Sequence, residues 1–136
     1  MGLDMYLYGE MYKFDGESSS HEIKLEEVGY WRKQNAIHNW MVNNVQNGVD
    51  NCAMYELTKD TLKTLLMACK DVLNNPTVEN AMEMLPTREG FFFGGTDLTD
   101  KFELEYYLDG LKYTVNMIKR LLKEDKYDYY VYQSSW

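Results

Sequence analysis

The chain has 136 residues, 45% apolar and 26% charged, which is the size and balance of one soluble globular domain that needs no disulfide staples. A net charge of −8 and a pI near 4.7 argue against a binder of duplex nucleic acid, whose affinity comes from cations neutralising phosphates. Cys52 and Cys69 are too few for a disulfide framework or a zinc site, and no apolar run reaches membrane-spanning length.

Taken in chain order, residues 3–14 alternate Leu3, Met5 and Leu7 against Asp4, Tyr6 and Tyr8, which predicts a strand with a bulge at Gly9. The start has neither a basic segment nor an apolar one, so no secretory signal is expected there. Residues 15–22 form a polar turn, and a weaker strand signal covers 23–30. Ile37, Trp40, Met41, Asn44 and Val45 repeat at helical steps, predicting a helix from Tyr30 or Trp31 to Val45, stopped by Asn47-Gly48. A strand over Cys52–Leu57 leads to Thr58 as helix cap. The helix over 59–73 carries Leu62, Leu65, Leu66, Cys69, Val72 and Leu73 on one stripe.

A short helix over 77–84 ends before Pro86, and the glycine-flanked run 90–95 reads as a buried strand. A long helix over about 98–124 turns Leu104, Tyr107, Leu108, Leu111, Val115, Ile118 and Leu122 inward, with Gly110 as a weak point. Residues 127–132 alternate as a last strand. Together these predict a single α+β domain over 1–136: a small antiparallel or mixed sheet of about 4–5 strands, with 3–4 helices packed mainly on one face.

The densest chemistry lies between Tyr30 and Trp40. Two indoles, a phenol, Arg32, Lys33, His38 and several amides suit a planar, anionic ligand: rings stack, guanidinium meets phosphate, amides read edges. If a helix begins there, its free N–H groups add an anion seat. Tyr30, Trp31 and Phe92 are candidates for stacking a base. Arg32, Lys33 and Arg88, with Thr87, are candidates for the anionic group, and Asn35, His38 and Asn51 for reading edges. Against this stands the plainer possibility that both indoles are core and His38 is a satisfied structural histidine. Only Arg32, Arg88 and Arg120 supply guanidinium groups.

The chain is poor in catalytic patterns. No Ser/His/Asp or Cys/His spacing, Walker loop, dinucleotide fingerprint or calcium loop is present, so no catalytic residue, metal ligand or cofactor is expected. Met1-Gly2-Leu3-Asp4-Met5-Tyr6-Leu7, the block Glu27-Val28-Gly29-Tyr30-Trp31-Arg32-Lys33 with Asn35, Ile37-His38 and Trp40, and Leu85-Pro86-Thr87 before Gly90-Phe91-Phe92-Phe93-Gly94 occur together. In these motifs the chain resembles a family of small uncharacterised proteins carried by bacteriophages and prophages. That resemblance implies a viral accessory protein acting in a bacterial cytoplasm, and it supplies no functional residues.

The leading expectation is a non-enzymatic binder that sequesters a small nucleotide-derived ligand, a bacterial immune signal among the candidates, and that forms a homo-oligomer. An alternative is a protein–protein inhibitor presenting an acidic, Tyr-rich surface to a host factor. A third is a small phosphoesterase or nuclease using His38.

Overall fold

Alternation and turn chemistry place the first two strands. The computed structural model describes residues 2–14, 21–89 and 96–136. In strand β1 (Asp4–Phe14), Met5 and Leu7 enter the core while Tyr6 and Tyr8 stay on the opposite face. It pairs antiparallel with strand β2 (His21–Arg32). The register shifts between Leu7 and Tyr8, where Val28 is the extra residue on β2. The irregularity therefore lies at Val28 and not at the expected Gly9. Gly9 serves a different need: a Cβ there would stand 2.4 Å from the Tyr127 ring.

The largest departure from expectation is at the start of helix α1 (Asn35–Asn44). Tyr30 and Trp31 belong to β2, pairing with Tyr6 and Met5. The β1 ladder, extended to Arg32 opposite Asp4, outweighs the helical pattern there. Lys33 then turns the chain with a left-handed φ of 53°, and Gln34 precedes the helix without capping it. The expected anion seat in the first helical turn thus does not form around Arg32 and Lys33.

The chain continues through strand β3 (Tyr55–Leu57), shorter than expected, to helix α2 (Lys59–Asn74), whose first turn is capped by the Thr58 hydroxyl accepting from the Thr61 N–H. Helix α3 (Val78–Met84) is capped by Thr77 in the same way. Helix α4 (Lys101–Glu124) starts at Asp100, whose carboxylate accepts from the N–H groups of Phe102 and Glu103. Strand β4 (Tyr129–Ser135) closes the fold. The strand expected over 90–95 falls outside the described residues.

The four-stranded sheet has order β2-β1-β4-β3 and is antiparallel throughout. One face carries Met5, Leu7, Trp31, Leu57, Tyr130 and Tyr132 into a core shared with Leu62, Leu65, Cys69 and Val72 of α2 and Tyr107, Leu111 and Ile118 of α4. Burial pushes the Cys69 thiol up to about 12. Tyr6, Tyr8, Tyr30, Tyr129 and Val131 occupy the other face by register, and no described helix covers it. No described helix is long and apolar enough to cross a membrane.

Candidate functional site

Where β2 meets α4 the sequence-predicted residues divide into two groups. Tyr30, Trp31 and Arg32 line a hollow of about 220 Å³ together with Gln34, Tyr106, Gly110 and Tyr113, with Asp109 at its rim. Trp31 is only 2% exposed and forms the floor: its indole N–H donates to the Thr114 hydroxyl at 2.8 Å, and its ring meets Tyr113 edge-on. Tyr106 and Tyr113 are 51% and 43% exposed and stand beside that floor partly open to solvent, whereas the Tyr30 phenol packs on Tyr6 across the sheet and Tyr30 borders the hollow at the strand edge.

The hollow exists because α4 tolerates a glycine in mid-helix. A Cβ on Gly110 would lie 2.1 Å from Oε1 of Gln34, so the bare backbone lets the Gln34 amide lie across the helix. There Nε2 donates to the Tyr106 carbonyl at 3.3 Å. Sequence inspection marks Gly110 as a weakness; the packing makes it a seat.

Arg32 is not a free cation. Its Nη1 pairs with Asp4 Oδ1 at 2.8 Å, and the Tyr30 hydroxyl donates to the same oxygen. The Tyr30 hydrogen bond, helped by Arg32, holds the Asp4 carboxyl below its ordinary value, and the same hydrogen bond raises the Tyr30 phenol. Both Arg32 and Lys33 lie beside Gly2. An anion reaching Arg32 therefore competes with Asp4.

The second group is buried and structural. His38 has no exposed surface. Its Nδ1 accepts from the Tyr132 hydroxyl at 2.7 Å and its Nε2–H donates to Asp50 Oδ1 at 2.9 Å, the tautomer that matches the hydroxyl donor on one side and the carboxylate acceptor on the other. Burial lowers the His38 pKa against the opposing pull of Asp50, and burial raises Tyr132. Arg88 Nε meets Asp50 Oδ2 at 3.4 Å, and its Nη1 donates to Asn39 Oδ1 at 3.0 Å. Asn35 receives the Arg88 N–H at 3.4 Å and donates to the Thr96 hydroxyl at 2.9 Å. These bonds tie α1, β4 and the segments around residues 50, 88 and 96 together. The geometry favours the plainer reading of His38, whose two ring nitrogens are both engaged beneath the surface.

The remaining candidates are scattered. Asn51 Oδ1 accepts from the Ala53 N–H and the Tyr55 hydroxyl, a local turn contact. Thr87 borders a separate groove with Val78, Met82 and Leu98. Phe92 lies outside the described residues. Sequence reading missed Tyr106 and Tyr113, although their seven-residue spacing puts both on one flank of α4. It also missed Asp4 and Asp50, which need pairing across the fold to be seen.

No described group of three or more His, Cys, Asp or Glu residues is arranged to hold a metal ion. No protein-family model, curated protein or solved structure matches this chain.

Proposed function

We propose that this protein is a non-catalytic binder of a small, planar, nucleotide-derived ligand, taken at the tyrosine-ringed hollow between β2 and α4. One observation carries the reading: two partly exposed phenols of α4, Tyr106 and Tyr113, stand beside the buried Trp31 indole in a hollow that the edge of β2 at Tyr30 and Arg32 borders. Aromatic faces on a water-excluding floor favour a flat ring, and a guanidinium favours an adjacent anion. At about 220 Å³ the hollow falls below the usual range for an enclosed small-molecule pocket, so it suits one ring system, with the rest of the ligand lying along the surface. Sequestration fits better than turnover, because the His38 imidazole is sealed in the core. The resemblance to phage-carried proteins makes the cytoplasm of a bacterial host the setting and an immune signalling nucleotide the candidate ligand.

Titration calorimetry with adenosine monophosphate, cyclic dinucleotides and ADP-ribose tests the proposal. The expected result is binding of at least one of them, weakened about tenfold or more by Tyr113→Ala and unchanged by Lys63→Ala on the exposed face of α2. Mass spectrometry of the denatured recombinant protein provides an independent reading of any released molecule. No heat with any probe, and no released molecule, removes the proposal.

A second reading is favoured by a different feature. Glu10, Glu56, Asp128 and Tyr129 line a depression of about 530 Å³ on the open sheet face. Burial, then contact with Glu56 and Asp128, raises the Glu10 carboxyl, and one Glu10 oxygen is buried without a hydrogen bond. A basic side chain from a host protein would relieve that crowding, which is the inhibitor alternative. A stoichiometric protein recovered from bacterial lysate, with no small molecule, shifts the balance to it.

A further inference from the structure

The outer strand of the sheet is half sealed and half open. β2 is the edge strand next to β1. Over Val28–Arg32 three of its outward backbone groups are capped by α4. The Tyr106 hydroxyl donates to the Arg32 carbonyl, the Tyr113 hydroxyl accepts the Tyr30 N–H at 3.1 Å, and Arg120 Nη2 donates to the Val28 carbonyl at 2.9 Å. These three side chains sit seven residues apart on one helix and close that stretch to any incoming strand.

Beyond the Val28 irregularity the sealing stops. Leu25 and Glu27 pair with Glu10 and Tyr8, the face that also carries Tyr30 and its partner Tyr6. Side-chain face and backbone direction alternate together along a strand, so the N–H and C=O of Leu25 and Glu27, like those of Tyr30, point out of the edge. No described residue caps them. The same stretch exposes Ile23 by 59% and Leu25 by 37%, large apolar side chains on an unpaired edge.

We propose that this stretch, Ile23–Glu27, pairs antiparallel with the same stretch of a second copy of the chain, about a two-fold axis through Leu25. The sequence of the stretch is self-complementary in that register. Leu25 faces its own copy, Lys24 faces the second copy's Glu26, and the reciprocal pair repeats across the axis. Within one chain Lys24 already lies 3.7 Å from Glu26, and Glu26 also receives Tyr127 and Lys126, so the carboxylate is ionised and held in place. A register centred on Glu27 instead sets like charges face to face. Pairing through Leu25 makes an eight-stranded sheet whose open tyrosine faces are continuous. The interface stretch shares no residue with the lining of the ligand hollow.

Sedimentation of the full chain over a concentration series, with charge-reversed variants, tests the assembly. The wild type is expected to sediment as a dimer, and Lys24→Glu or Glu26→Lys alone to raise the dimer dissociation constant at least about tenfold. An equimolar mixture of the two variants is expected to restore dimers, because each reversed charge then meets its opposite on the other chain. If Glu26→Lys fails to fold through loss of the Tyr127 contact, Lys24→Glu and Leu25→Arg, both at exposed positions, give the same reading. A wild type that stays monomeric up to about 0.5 mM overturns the proposal, as does a dimer whose constant is unmoved by Lys24→Glu.

Discussion

Replacing Gly110 by Ala should destabilise the protein although it improves the helix. In isolation, Ala in a helix interior is favoured over Gly by about 1 kcal/mol. Here the new methyl arrives 2.1 Å from Oε1 and 2.2 Å from Cδ of Gln34, a side chain only 8% exposed. Overpacking of this kind costs about 1–3 kcal/mol. Expelling the amide also forfeits its hydrogen bond to the Tyr106 carbonyl, worth about 1 kcal/mol. The balance is a net loss of about 1–3 kcal/mol, read from urea midpoints at constant slope. The decisive measurement is the same substitution in a Gln34→Ala background, where the obstruction is gone and Gly110→Ala should stabilise by about 1 kcal/mol. The sign of the effect therefore reverses between the two backgrounds. If Gly110→Ala stabilises both equally, the account of Gln34 seated on a bare helix backbone is wrong, and so is the origin assigned to the hollow.

Two further outcomes follow from buried polar contacts. Because burial holds His38 below its ordinary value of 6.5, the unfolded chain takes up this proton before the folded one does. The His38 contribution to stability is therefore complete above about pH 6.5 and is lost as the pH falls through the folded value. Urea midpoints for wild type and His38→Asn should converge toward acid pH; parallel curves contradict the assignment. Thr114→Val keeps shape but removes the acceptor of the Trp31 indole N–H, leaving a buried donor orphaned at a cost of about 1–3 kcal/mol. Thr64→Val on the exposed face of α2 should stay within about 0.5 kcal/mol by the same assay, and equal losses at both sites refute the role given to Trp31.

How much was legible in the sequence depended on the range of the forces involved. Thr58 as a cap, the Leu62–Val72 stripe and the alternation of Met5 and Leu7 are local signals, and each appears where its pattern places it. Leu104, Leu108 and Leu122 are partly buried and packed against the core, while Thr114 and Met117 also turn inward, as a wide apolar stripe allows. The boundary at residues 30–34 differs because Ile37, Trp40 and Met41 repeat at helical steps while no local signal marks where that helix begins, and the ladder that claims Trp31 depends on Met5, distant in sequence. The same long reach hid the chain from Tyr132 through His38 and Asp50 to Arg88. Of the predicted binding residues, Tyr30, Trp31 and Arg32 border one hollow because they are consecutive on the edge strand, but alternation turns only the Trp31 side chain toward α4. Asn35 and Arg88 sit elsewhere because helix α1 turns away after Lys33.

The contacts of Tyr106, Tyr113 and Arg120 with the rim of β2 have an effect on alignment as well as on exposure. A hairpin held only by its own ladder can slide by two residues and keep most of its bonds. Here such a slide would carry three carbonyl and amide groups away from three fixed heads at once. The long helix thus acts as a ruler laid along the hairpin, and the position of Val28 is measured off against a structure more than ninety residues downstream.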